Sequence, residues 1–127
     1  MAFTDWNQAE VIRVERGVGF LGRPCFEVNA LLTGGNTGTA SRFRKLVPAI
    51  EFAATISSVV QEKHGRSCAL MLVDPDTGDR MNLRALLDAS SEEDVREAVV
   101  SVPVADAIVE ARGELAEAAE RGKRGGR

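Results

Sequence analysis

The chain has one histidine, His64, two cysteines, Cys25 and Cys68, and no apolar run near the roughly 18 residues that a bilayer-spanning helix requires. Each scarcity removes a class of function. A lone histidine excludes most histidine-based catalysis and metal chemistry, and its place at an expected helix end is explained by attraction to the terminal carbonyls. The cysteines are far apart and fall in expected strands, so they read as buried, reduced thiols of a cytosolic protein, with a bridge between adjacent strands as the alternative. The N-terminus, Met1-Ala2-Phe3-Thr4-Asp5-Trp6, has no basic region followed by an apolar one, so a secretory signal is not expected and the expected location is cytoplasmic.

Catalytic and ligand-binding motifs are equally scarce. No serine sits in a Gly-x-Ser-x-Gly frame, and neither cysteine has a histidine nearby in sequence. Asp74-Pro75-Asp76-Thr77-Gly78-Asp79 places three carboxylates within six residues, but an EF-hand loop continues to a bidentate glutamate where this chain has an expected strand. Proline in the second position suits a hairpin turn better. Glu10, Glu15, Glu27 and Glu51 could pair in space as acid and base, although exposed strand and helix faces carry such residues routinely. The expectation is therefore no catalytic residue, no metal, no cofactor and no enzymatic activity.

What is present describes an ordinary globular domain. At 127 residues, 44% hydrophobic and 28% charged, the chain can bury a core without staples. Charge is unevenly placed. Of 16 basic residues, Arg121, Lys123, Arg124 and Arg127 fall in the last seven positions, leaving residues 1–120 with 12 basic and 19 acidic groups, a net −7. The glycine and cation content of residues 122–127 predicts a disordered basic tail after a single domain over residues 1–121.

The segment from residue 9 to 16 is rich in β-branched residues and partly alternates, which predicts a strand. Three glycines in the next six residues break it. Pro24 to Leu32 then sets Phe26, Val28, Ala30 and Leu32 on one face and Cys25, Glu27, Asn29 and Leu31 on the other, a half-buried hairpin partner. A short turn over Arg42 to Leu46 leads to a helix from about Val47 to Lys63, with Pro48 in its first turn and Gly65 as its left-handed cap. Ile50, Ala53, Ala54, Ser57 and Val60 form its stripe, widened by Phe52, Ile56 and Val59. The continuous apolar run Ser67 to Val73 predicts a strand covered on both faces, and Arg80 to Leu83 its return across the Asp-Pro-Asp-Thr-Gly turn. A capping box at Ser90-Ser91-Glu92-Glu93 and the break at Pro103 delimit two C-terminal helices.

The predicted class is α+β in the order ββαββαα, a small mixed or antiparallel sheet from two β-hairpins around a central helix. On topology alone this is compatible with a β-grasp-like arrangement, which carries no function.

Two surfaces stand out. The loop Val18-Gly19-Phe20-Leu21-Gly22 puts two large apolar side chains at a hairpin tip, where they either dock on a partner or fold back over the hairpin. Phe20 and Leu21 are candidate partner-binding residues, and Trp6 has the same two readings. The second surface is the turn with Gly34, Gly35 and Gly38, followed by Arg42, Arg44 and Lys45; with Lys123 and Arg124 of the tail it would suit an anion or nucleic acid if its amides converged at a helix start. It lacks the lysine and hydroxyl of a P-loop. The expected function is a non-enzymatic protein-interaction or assembly subunit, of a prokaryotic or viral complex, with a protein partner or a second copy. A nucleic-acid-associated accessory role is the alternative. No membrane partner is expected.

Overall fold

A computed structural model describes residues 9–32, 34–35, 37–38, 41–65 and 67–125. Its element order is β1 (Ala9–Val18), β2 (Pro24–Leu32), β3 (Ser41–Phe43), α1 (Leu46–His64), β4 (Ala69–Val73), β5 (Arg80–Asn82), α2 (Leu83–Leu87), α3 (Glu92–Ala98) and α4 (Val102–Gly125), with a 3-10 turn over Phe20–Gly22. The class is α+β. Among the described residues five strands form one mixed sheet in the order β3-β2-β1-β4-β5, in which β1 and β4 are parallel and the other three pairs antiparallel.

Alternation along the strands decides which face is covered. Ile12 and Val14 of β1, Val28 and Ala30 of β2, and Leu70 and Leu72 of β4 are buried against Ile50, Ala53 and Ala54 of α1. The helix stripe read from the sequence is the buried one, with Ser57 and Val60 completing it. Its breadth has a cause: α1 lies on the sheet, and α4 packs on α1 through Val104, Ile108 and Ala111. Gly65 closes α1 with φ +65°, donating its N–H to the Gln61 carbonyl at 3.0 Å, the left-handed cap that glycine adopts without a steric penalty.

Three expectations are corrected. The sheet has a fifth strand, β3, where a turn was expected; it lies outside β2 and is held to α1 by Phe43, whose ring centroid is 5.4 Å from that of Phe52. Among the described residues the helices number four, because the helical turn read over Arg84 to Leu87 is a distinct helix, Leu83–Leu87, capped by Asn82, whose side chain accepts from the Ala85 N–H. Finally, β4 is covered on one face only: Leu70 and Leu72 are buried, while Ala69 is exposed and Met71 and Val73 are half-buried. β3 and α2 are the additions to the two-hairpin plan, whereas α3 and α4 are the two C-terminal helices expected from the sequence.

The Asp74 turn is built as a hairpin. The buried Asp74 carboxylate accepts from the N–H groups of Asp76 (2.8 Å) and Thr77 (3.2 Å), and Gly78, at φ +80°, donates to the Asp74 carbonyl. That satisfies the carboxylate inside the turn. Ser91 caps α3 by accepting from the Asp94 N–H, and Arg112 of α4 donates to the Leu87 and Ala89 carbonyls at the end of α2. Both cysteines are free; Cys25 lies opposite Gly17 at one end of β1, whereas Cys68 precedes Ala69, which lies opposite Val11 at the other end.

Helix α4 runs to Gly125, past the Arg121 limit expected from the sequence, with Glu117 and Arg121 3.9 Å apart in an i,i+4 pair. From Ala116 to Gly122 every residue is exposed. Deleting Gly122 to Arg127 should accordingly lower the melting temperature by no more than about 2 °C, the equivalent of roughly 0.5 kcal/mol. A thermal melt of the truncated chain checks this, and a large loss would show that the tail docks on the acidic body.

Candidate functional site

The β1–β2 hairpin ends in a tight turn whose N–H groups are spent locally, Gly19 donating to the Arg23 carbonyl (2.7 Å) and Gly22 to the Gly19 carbonyl (3.2 Å). Leu21 stands between them at φ +60°, ψ +28°, the sole non-glycine positive φ among the described residues. A bulky residue in the left-handed region costs about 1–2 kcal/mol. Its side chain does not fold back: Leu21 is 77% exposed and neighbouring Val18 67% exposed.

Beside this tip lies a cleft of about 800 Å³ lined by Leu21, Arg23, Cys25, Arg42, Phe43 and Arg44. β3 makes the juxtaposition: pairing Glu27 with Arg42 and Phe26 with Phe43 in register, it brings the basic segment after the glycine turn alongside the end of the hairpin. Arg42 donates to Glu27 at 3.0 Å, whereas Arg23 and Arg44 are exposed without an ion-pair partner among the described residues. Gly17 permits the arrangement, because a β-carbon there would collide with the Glu27 side chain that holds Arg42.

The polar groups continue onto the uncovered face of the sheet. Glu15 and Glu27 are opposite one another on β1 and β2, a repulsive pairing relieved on each side by a guanidinium. Arg13 lies 3.0 Å from Glu15, Asn29 accepts from Arg13 (3.1 Å) and donates to Glu15 (2.8 Å), and Arg42 binds Glu27.

The glycine turn sits elsewhere. Gly35 donates to the Leu32 carbonyl (3.0 Å) and Gly38 to the Ala30 carbonyl (2.7 Å), so these amides close the β2–β3 connection instead of facing a helix start. Helix α1 begins at Leu46, and its N-cap, Lys45, makes no side-chain cap. Gly34, Gly35 and Gly38 therefore do not line the cleft that Arg42 and Arg44 share with Leu21. Lys45 is exposed at the start of α1. Trp6 and the side chains of Phe20, Lys123 and Arg124 lie outside the described residues.

A second polar cluster escaped the sequence. Glu51 of α1 meets Glu114 and Glu110 of α4, and its Oε2 is buried without a hydrogen-bond partner. Two ionised carboxylates only accept; a proton on either turns the pair into donor and acceptor. Burial first, then the hydrogen bond to Glu114 and the charges of Glu114 and Glu110, raise the Glu51 pKa from 4.5 to about 7. Glu51 was one of four dispersed glutamates in the sequence, and the distance of Glu110 and Glu114 along the chain hid the contact.

No group of three or more metal-ligating side chains occurs among the described residues, and no helix of the described residues is long and apolar enough to cross a membrane. The sequence matches no protein-family model and no curated protein, and the fold matches no solved structure.

Proposed function

We propose that this protein is a non-enzymatic protein-interaction or assembly subunit that docks its partner at the hairpin tip and the adjoining cleft. One observation carries the reading: Leu21 is held in an energetically unfavourable backbone conformation with its side chain in solvent, lining the cleft. Exposure gives the isolated chain nothing, and apolar burial is gained when a partner covers the side chain, which offsets the backbone cost. The same cleft brings Leu21 together with Arg42 and Arg44, residues that separate readings of the sequence assigned to protein and to nucleic acid. The raised pKa of Glu51 fits a packing role, since the hydroxyl lining that part of the α1–α4 interface, Thr55, is engaged in donating to the Glu51 carbonyl at 2.8 Å. The test is replacement of Phe20 and Leu21 by serine, which should weaken association while leaving the fold intact, read by light scattering on eluted complexes.

A nucleic-acid-associated role is the second reading, favoured by the convergence of Arg23, Arg42 and Arg44. With residues 1–120 at −7 and carboxylates of Glu15 and Glu27 next to the cleft, only weak, sequence-independent binding of a labelled single-stranded oligonucleotide is expected at about 0.15 M salt. Any binding at low salt should fall steeply as salt rises, and charge reversal at Arg42 and Arg44 should reduce that slope. Affinity in the nanomolar range at physiological salt would reverse the order of the two readings.

A further inference from the structure

The composition of the cleft says more about the partner than that it is a protein. β3 is one of the two edge strands of the sheet, so its outward N–H and C=O groups face no neighbouring strand among the described residues. An extended segment is the natural complement of such an edge, with main-chain hydrogen bonds for affinity and alternate side chains for selectivity. Arg42 is neutralised by Glu27, but Arg23 and Arg44 carry uncompensated charge in the cleft that Leu21 and Phe43 also line. A second copy pairing β3 antiparallel against β3 about Phe43 would set Arg42 of each copy opposite Arg44 of the other, a like-charge arrangement that disfavours that interface.

Charged side chains on an edge strand also serve to prevent unwanted pairing. That role needs only repulsion. It does not account for a leucine held exposed at positive φ beside the same charges. A phosphate polymer, in turn, would want a run of cations, and on this surface the cations give way to Glu15 and Glu27.

Building on the docking reading above, we infer that the cleft takes an acidic, extended segment of a different protein, laid along β3 as an added strand, with carboxylates on Arg23 and Arg44 and an apolar side chain against Leu21. The partner is recognised by alternation of acidic and apolar residues. Complementary charge accelerates encounter, and the apolar contact sets the residence time.

Panning a random peptide display library against the intact chain tests this, with the selected peptides measured by fluorescence anisotropy on three proteins: the native chain, Phe20→Ser/Leu21→Ser, and Arg23→Glu/Arg44→Glu. The inference expects peptides rich in aspartate or glutamate and in branched apolar residues, losing at least about tenfold in affinity on either variant and on insertion of a central proline, which blocks strand pairing. Arg23→Gln/Arg44→Gln, which removes the charge without adding a carboxylate, should give an intermediate loss. Peptides that depend on Leu21 but are neutral or basic, or that tolerate the central proline, would overturn the inference while the docking reading stands. Selection of no tip-dependent peptide would overturn both. Concentration-dependent self-association abolished by the tip variant would overturn the choice of a different protein in favour of a second copy, and displacement of the peptides by a single-stranded oligonucleotide would overturn it in favour of nucleic acid.

Discussion

Glu51→Gln should raise the melting temperature near pH 8 and change it little near pH 4.5. The folded-state pKa of Glu51, about 7, lies above the ordinary 4.5, so between those values the folded state holds more protons than the unfolded one. Stability from this group is therefore complete below about 4.5 and is lost as pH rises through about 7. Glutamine keeps the shape, supplies a donor to Glu114 and cannot ionise. Glu114 is exposed, and solvent there screens the repulsion, so the expected gain at alkaline pH is about 1 kcal/mol, or roughly 3–5 °C for a chain of this size. Thermal melts of both proteins across this pH range decide the matter. Parallel curves would show that the carboxyl cluster of α1 and α4 does not couple to folding. Arg121, which lines the same opening, is a local source of neutralising charge but lies 3.9 Å from Glu117.

The second large effect is on association. Burying a leucine side chain contributes about 1.5–3 kcal/mol, so removing Leu21 from a docked interface should weaken binding by more than about tenfold. Stability should move in the opposite direction or not at all. Leu21→Gly relieves about 1–2 kcal/mol of left-handed strain and costs about 0.5–1 kcal/mol in the entropy of the unfolded chain, for a net effect between zero and a gain of about 1.5 kcal/mol. A residue whose side chain packs on the hairpin would lose stability on such a change. Phe20→Ser/Leu21→Ser adds the second apolar residue of the loop and should leave the circular dichroism spectrum of the domain unchanged while association falls.

The elements with a clear period were legible in the sequence because burial imposes that period. β2 shows it best: one alternate set supplies Val28 and Ala30 to the core, and the other carries Glu27 and Asn29 on the uncovered face. Helix α1 was readable to within a residue at each end, since an apolar stripe, a proline in the first turn and a glycine cap all point the same way. β3 was not readable. Three residues carry no period, and Ser41–Phe43 is a strand because Phe43 finds Phe52 and Phe26 across the fold, a tertiary contact that no local propensity announces. The apolar run of β4 misled for a related reason, since Ala69, Met71 and Val73 line the sheet face that the helices do not cover.

The candidate site divides in the same way. Glycine spacing pointed to the hairpin tip and to Leu21, and charge pointed to Arg42 and Arg44. That these belong to one cleft depends on β3 folding back beside β2, and Arg23, between the tip and Pro24, drew no notice until that cleft was formed. The glycine turn drew notice as an anion site because a connection between strand and helix was expected there. With a strand in between, its amides serve the β2–β3 connection.

The most direct test of docking at Leu21 is a calorimetric titration of the native chain and Leu21→Gly with a peptide selected on the native surface, paired with a thermal melt of each protein. The docking account predicts micromolar affinity for the native chain, a loss of more than about tenfold for the glycine variant, and melting temperatures equal within about 2 °C or a few degrees higher for the variant. Equal affinities, or a glycine variant that melts well below the native chain, would contradict it and return Leu21 to a purely local role in the hairpin.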